Sequence, residues 1–195
     1  ILNQTKMLVS EYLNQADAIT VLSQKVKKDL SQFSDRKIHV IYNPVRDVYY
    51  DENIKKENQF LFVGRANDPN KRFSLIKESL SKIKDGEKKI TVCGAENPDF
   101  GNYLGYVSDE KLNKLYNSTK YLLLPSKYEG IGLPMIEALI CGTFPITCID
   151  NETAKEFLPL DFMCEPKADS ILKHIEKLDS NYKIKQEMAL KLGKE

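Results

Sequence analysis

Short apolar runs alternate with amphipathic stretches along most of this chain. Runs of four or five apolar residues indicate buried strands, and apolar residues spaced three and four apart indicate helices. From residue 59 onward, strands are predicted at 60–63, 89–93, 103–107, 121–124, 144–148 and 162–164. Helices are predicted at 73–84, 109–118, 134–142, 154–158, 168–178 and 181–193. This alternation predicts an α/β protein with a Rossmann-like, doubly wound parallel sheet.

The first part of the chain has a different organisation. Helices are predicted at 1–14 and 23–33, and strands at 18–22 and 38–42. The polar stretch that follows has no clear hydrophobic period, which is typical of a connecting segment. We therefore predict a first unit at 1–46, a linker at 47–58 and a main domain at 59–195.

Composition and charge exclude several classes of protein. The net charge of the 195 residues is +1, so no basic excess indicates a nucleic-acid partner. No apolar run approaches the ~20 residues of a membrane span. The four cysteines form no C-x-x-C pair, which favours small buried hydrophobic residues over a zinc site or a disulfide and suggests a reducing cytoplasm; they are Cys93, Cys141, Cys148 and Cys164.

Two glutamates eight positions apart, Glu129 and Glu137, mark the most informative segment. A glycine-containing loop, 130–133, leads into a helix that is predicted to start at Pro134 and to end near Gly142. The N-terminus of a helix offers free N–H groups and a favourable dipole to an anion. Carboxylates on either side of such a site suit hydroxyl groups, so the segment predicts a nucleotide-sugar ligand.

Two cations follow the first strand of the main domain. Arg65, directly after Gly64, presents a planar fork that suits phosphate oxygens, and Lys71 adds a second positive charge. Together they could stabilise a departing diphosphate without a metal; the alternative is that both are solvated surface charges. The chain contains no Asp-x-Asp pair, the usual pattern of enzymes that hold a nucleotide sugar through a divalent metal. It also contains neither a Walker motif nor a complete dinucleotide fingerprint.

The individual glutamates each allow a structural interpretation and a functional one. Glu137 lies in the first turn of its helix, where it could favour the helix dipole or accept both hydroxyls of a ribose. Glu129 precedes the loop and would face the sugar. The histidines His39 and His174 belong to no cluster and are assigned no role.

The segment 129–142 resembles the E-x7-E motif of retaining glycosyltransferases of the GT-B fold, specifically family 4. The similarity continues at 16–23, 38–45, 62–65 with 71–72, and 105–109, in the order expected for that family. The resemblance implies that the main domain is the C-terminal, donor-binding half of a GT-B fold. Residues 1–46 would then be a remnant of the N-terminal acceptor domain.

The resemblance also implies roles for single residues. Arg65 and Lys71 would grip the diphosphate of the donor and stabilise the leaving group, with Gly64 beside them. Glu137 would bind the ribose hydroxyls, and Glu129 would contact the transferred sugar.

Backbone groups complete the implied donor site. Gly130, Ile131, Gly132 and Leu133 would offer N–H groups to the sugar and phosphate, and Val107 would meet the base through its backbone. Ile131 stands where the family often has Phe, which leaves the identity of the sugar open.

The resemblance implies transfer of a hexose from a UDP- or GDP-linked donor to an unidentified acceptor, without a metal or other cofactor. The predicted location of this chain is the cytoplasm, and the resemblance implies that any peripheral membrane contact would involve the first domain. Without a complete acceptor domain, the chain is expected to transfer little or no sugar by itself. Alternatives are a GT-B-fold epimerase or phosphorylase, or a non-catalytic nucleotide-sugar-binding module.

Overall fold

The computed structural model describes residues 2–195, with side chains from residue 6 onward. The chain forms two compact units, Ile1–Pro44 and Val45–Glu195. The predicted first helix starts at residue 1, which lies outside the described residues.

The first unit is a small βα arrangement with a two-stranded parallel sheet. Its elements are α1 (Leu2–Gln15), β1 (Ile19–Val21), α2 (Gln24–Leu30) and β2 (Ile38–Val40). Ser23 caps α2, because its hydroxyl oxygen accepts a hydrogen bond from the N–H of Val26 at 3.2 Å. The predicted order of elements is confirmed, but α2 ends at Leu30 rather than near residue 33.

The second unit is built on a six-stranded parallel sheet with the order β5-β4-β3-β6-β7-β8. The strands are β3 (Asn58–Val63), β4 (Ile90–Cys93), β5 (Asn102–Gly105), β6 (Thr119–Leu124), β7 (Phe144–Cys148) and β8 (Met163–Cys164). The chain winds outward from β3 in one direction and then returns to build the other half from β6. Ligands of such sheets bind at this reversal, outside the carboxyl ends of the central strands. The predicted doubly wound α/β class is confirmed.

Helices cover both faces of the sheet and close its core. They are α3 (Phe73–Ser81), α4 (Asp109–Ser118), α5 (Leu133–Ile140), α6 (Ala168–Asp179) and α7 (Tyr182–Lys194). The central strand β3 has Phe60, Leu61 and Phe62 at 0% exposure on successive positions, as expected for a strand buried on both faces. Two sequence expectations need correction. Residues 154–158 contain a single 3-10 turn, Ala154–Glu156, and β5 ends at Gly105, whose φ of +69° interrupts the extended backbone.

Residues 45–57, which precede β3, pack on α4 although they contain no helix or strand. The N–H of Tyr50 donates to Asn113 Oδ1 at 3.1 Å, and the N–H of Glu52 donates to Asn117 Oδ1 at 2.8 Å. The side-chain amides of α4 thus accept the backbone hydrogen bonds that a neighbouring strand would accept in a sheet. The stretch that the sequence predicts as a linker is fastened to the second unit in this structure.

Lys56 anchors the end of this segment. Its side chain is buried, and Nζ donates to the carbonyls of Tyr116 at 3.0 Å and Cys141 at 2.6 Å and to Thr143 Oγ1 at 3.1 Å. Burial lowers the pKa of Lys56 to about 8, because water no longer solvates the charged form. The ammonium group therefore ties the segment to the C-terminal ends of α4 and α5.

All four cysteines are free and buried, which confirms the prediction that they act as small apolar side chains. Within the described residues, no helix is both long enough and apolar enough to cross a lipid bilayer.

Candidate functional site

The loop after β3 forms a short 3-10 turn, Pro69–Lys71, that Asp68 organises. Asp68 Oδ1 accepts the N–H of Asn70 at 2.9 Å, and Oδ2 accepts Arg65 Nη2 at 2.8 Å. The Arg65 side chain is 68% exposed, so this ion pair is open to solvent. Arg65 therefore lies at the edge of the site with its guanidinium already turned toward a carboxylate.

Asn70 and Lys71 fasten this turn to the loop after β6. Asn70 Nδ2 donates to the carbonyl of Tyr128 at 2.7 Å, and Asn70 Oδ1 accepts the N–H of Tyr128 at 3.0 Å. Lys71 Nζ lies 2.6 Å from Glu129 Oε1, and the two side chains are only 16% and 13% exposed. The turn thus brings together two predicted site residues that are 58 positions apart in sequence.

The next residue, Arg72, connects the same turn to the loop after β7. Its Nη1 and Nη2 donate to Asp150 Oδ1 and Oδ2 at 2.9 and 2.5 Å, a bidentate pair. The hydrogen bond from Arg72 is the main reason that the pKa of Asp150 is lowered. From the same region, Thr153 Oγ1 donates to the carbonyl of Glu129 at 2.8 Å. Glu129 is thereby held by both its side chain and its backbone.

The loop 130–133 presents the N-terminus of α5 at this edge. Gly132 adopts a φ of +77° at the position before the helix, a conformation that favours glycine. In the described part of the chain, the N–H groups of Gly130, Ile131, Gly132 and Leu133 donate to no acceptor. The four predicted donors are therefore free for an anion or a polar ligand.

An apolar cavity of about 180 Å³ opens beside the ends of β3 and β4. It is lined in part by Gly64, Arg65, Tyr106 and Val107. The two strand ends approach closely here: a Cβ on Gly94 would lie 1.9 Å from the carbonyl oxygen of Gly64. Only glycine fits at residue 94, and the cavity gathers three of the predicted donor-site residues.

Glu137 lies on α5 in a half-buried setting of a different kind. Because α5 begins at Leu133, Glu137 falls after the first turn of the helix and not within it as predicted. Its Oε2 accepts a hydrogen bond from the hydroxyl of Tyr116 at 2.9 Å, and Tyr116 is fully buried. Burial raises the pKa of Glu137, and the hydrogen bond from Tyr116 partly opposes that effect. A half-buried carboxylate with one oxygen already bound is suited to accept hydroxyl groups rather than to pair with a cation.

The predicted residues thus lie in four places. Lys71 and Glu129 form an ion pair, the residues around Gly64 line the cavity, 130–133 lead into α5, and Glu137 contacts Tyr116. Five further residues hold this site together and have no role predicted from the sequence: Asn70, Arg72, Asp150, Thr153 and Tyr116. A signal existed for the first two, because they flank Lys71 in a Pro-Asn-Lys-Arg turn after a strand.

Residues 50–194 match the family model described as "Glycosyl transferases group 1", and the chain belongs to this family. The match covers the six-stranded sheet and every site residue described above.

Curated relatives are longer than this chain. It is 28% identical to O-antigen chain mannosyltransferase RfbU of Salmonella typhimurium over 195 aligned positions, which cover 89% of this chain and 55% of that protein. It is 40% identical to O-antigen chain mannosyltransferase B of Escherichia coli over 75 residues, 37% of this chain and 19% of that protein. The chain therefore spans about half or less of the length of these relatives.

Solved structures share the fold at low sequence identity. The Anabaena protein HepE, solved with UDP and glucose, superposes with a TM-score of 0.81 at 14% identity, over 97% of this chain and 61% of that chain. Sucrose-phosphate synthase from Thermosynechococcus elongatus gives 0.79 at 20% identity, over 98% and 55%. The predicted match to a GT-B glycosyltransferase fold is confirmed.

Proposed function

We propose that this chain is the donor-binding part of a retaining glycosyltransferase of family 4, which moves a hexose from a UDP- or GDP-linked donor. The observation that carries the proposal is the Lys71–Glu129 pair, 2.6 Å apart at the sheet edge where doubly wound folds bind ligands. It sets a cation for the diphosphate beside a carboxylate for the sugar hydroxyls. The two mannosyltransferase relatives favour mannose as the hexose.

The diphosphate is bound by Arg65, Lys71 and the free N–H groups of 130–133. Fixed cations and N–H dipoles stabilise the charge that grows on the leaving diphosphate, and they need no reorganisation during the reaction. Because the sequence has no Asp-x-Asp pair, we propose that this site works without a divalent metal or other cofactor.

The nucleoside lies across the cavity and α5. The base enters the apolar cavity, where the backbone of Val107 contacts it, and Glu137 accepts the ribose hydroxyls. Glu129 contacts the transferred sugar once the diphosphate has engaged Lys71.

We also propose that the acceptor is bound by a part of the protein that corresponds to the additional length of the relatives. The 195 residues alone then bind donor but transfer little sugar. A turnover assay with the isolated chain tests this, and efficient transfer would overturn it.

Calorimetric titration tests the donor site directly. UDP, GDP, UDP-glucose and GDP-mannose are titrated with and without EDTA, and we expect binding of at least one pair that EDTA does not change. Absence of binding at millimolar concentration would overturn the proposal. Sugar release that depends on added inorganic phosphate would instead support a phosphorylase.

A further inference from the structure

Tyr116 has a buried hydroxyl group that donates a hydrogen bond to Glu137, the carboxylate that we propose binds the ribose. It lies on α4 with 0% exposure, and its hydroxyl donates to Glu137 Oε2 on α5 at 2.9 Å. Among the described residues, Glu137 Oε1 accepts no hydrogen bond. One oxygen of the carboxylate is therefore fixed, and the other remains for a ligand.

The phenol itself is held in place by the segment 45–57. The ring of Tyr49 packs edge-on against Tyr116, with centroids 5.9 Å apart and an interplanar angle of 69°. The hydroxyl of Tyr49 donates to Asp109 Oδ1 at 3.0 Å, and Arg46 forms an ion pair with the same carboxylate. Tyr116 therefore has little freedom to rotate away from Glu137.

We propose that Tyr116 is a positioning residue for ribose recognition, because it holds Glu137 Oε2 and directs Oε1 toward the ribose hydroxyls. This inference rests on the proposed function and assigns a role to a residue that touches no ligand. A carboxylate with one fixed oxygen loses less freedom when it binds a diol, so the prior hydrogen bond favours binding.

The arrangement has a consequence for pH dependence. Burial and the charge of Asp109 raise the pKa of Glu137, whereas Tyr116 and Arg46 lower it. The phenol of Tyr49 and the thiol of Cys141 also face this carboxylate. Loss of the Tyr116 hydroxyl removes a lowering contribution, so the pKa of Glu137 rises further. The acid-side loss of nucleotide affinity should then begin at a higher pH.

The test is Tyr116→Phe, which removes one oxygen and keeps the ring. We expect the affinity for UDP or GDP to fall about fivefold at neutral pH, because the released carboxylate of Glu137 must then lose its rotational freedom when it binds the ribose. The acid-side midpoint of the affinity profile should move upward. Affinity for the matching 2′,3′-dideoxynucleotide and for pyrophosphate should not change.

Tyr121→Phe is the matched control. Tyr121 is also 0% exposed, and its hydroxyl donates to the Asp179 carboxylate at 2.7 Å on another part of the sheet. It should cost comparable stability without changing the pH profile of nucleotide binding. If Tyr116→Phe behaves like Tyr121→Phe while the unmodified chain binds the nucleotide, the positioning role is wrong and the proposed function stands. If the unmodified chain binds neither UDP nor GDP, both are wrong.

A second measurement uses the unmodified chain, in case Tyr116→Phe does not fold. A buried hydroxyl proton in a hydrogen bond exchanges slowly and can be followed by proton NMR. We expect the Tyr116 hydroxyl resonance to persist when the nucleotide that this chain binds, UDP or GDP, is added. Its disappearance on binding would show that Tyr116 releases Glu137, and would overturn the inference.

Discussion

Glu129 and Glu137 lie eight positions apart on one loop and helix, yet their surroundings differ in kind. Glu129 pairs with a cation, Lys71, that comes from a neighbouring loop. Glu137 accepts from a neutral phenol, and burial raises the pKa of its carboxyl group. A ligand anion with more charge, such as a diphosphate, can replace Glu129 as the partner of Lys71. The hydrogen bond from the Tyr116 phenol instead leaves the charge of Glu137 available to a neutral ligand. In the function we propose, the Glu129 region therefore binds the diphosphate and the transferred sugar, and the Glu137 region binds the ribose hydroxyls.

Lys71→Ala is expected to have the largest effect on the difference between the two glutamate regions, because it removes the cation of the Glu129 region. We expect the affinity for UDP or GDP to fall about 50-fold, since a charge-assisted contact with a diphosphate is lost and Glu129 keeps its repulsive charge. Affinity for the free nucleoside should remain within about twofold. Calorimetry with both ligands measures the difference.

Lys127→Ala is the control for that prediction. Lys127 is an exposed lysine on the loop after β6, and its contact with Asn70 uses only its backbone N–H. Equal losses for nucleoside and nucleotide in Lys71→Ala would contradict the division of roles.

Glu137→Gln tests the second glutamate region, in which a carboxylate is proposed to bind the ribose hydroxyls. We expect affinity for nucleoside and nucleotide to fall together, about tenfold, because a neutral amide accepts hydroxyl groups more weakly than a carboxylate. In the unmodified chain, affinity should decrease on acidification, starting above the pH at which an ordinary Glu with a pKa of 4.5 titrates. For the nucleoside, that decrease should be absent in the variant, and titrations of the nucleoside between pH 7 and pH 5 measure it; the nucleotide is unsuitable because its terminal phosphate titrates at a pH of about 6.

Glu129→Gln should change nucleotide affinity in the opposite direction to Lys71→Ala. Without its carboxylate partner, Lys71 is free for the diphosphate, so UDP or GDP without sugar should bind about threefold more tightly. The extra affinity that the sugar gives to the complete donor should be lost. Weaker binding of the sugar-free nucleotide would mean that Glu129 does not compete for Lys71.

The smallest effect is expected for Arg72→Lys, which keeps the charge but not the planar fork. The Arg72–Asp150 pair supports the loops without contacting the proposed ligand, so nucleotide affinity should stay within about twofold. Urea denaturation should show a loss of about 1 kcal/mol, the usual scale for one part-exposed pair. A large change in affinity would instead place Arg72 in contact with the donor.

Much of the fold could be predicted from the sequence, because buried strands leave apolar runs such as 60–63 and helices leave a period. The contacts within the site were less accessible. Lys71 and Glu129 come together through strand order, and Tyr116 is simply an inward-facing residue of an amphipathic helix until α5 packs beside it. The sequence predicts a linker at 47–58, and the contacts of 45–57 with α4 could not be predicted because single side chains, rather than a hydrophobic period, make them.

The attachment of that segment decides where the second unit can be cut for expression. A shortened protein that begins at Gln59 would lack Tyr49, which packs on Tyr116, and Lys56, which joins the ends of α4 and α5. It would expose the carbonyls of Tyr116 and Cys141 and loosen the support of Glu137. One that begins at Val45 retains both anchors, and is the shorter form that we expect to remain folded and to bind nucleotide.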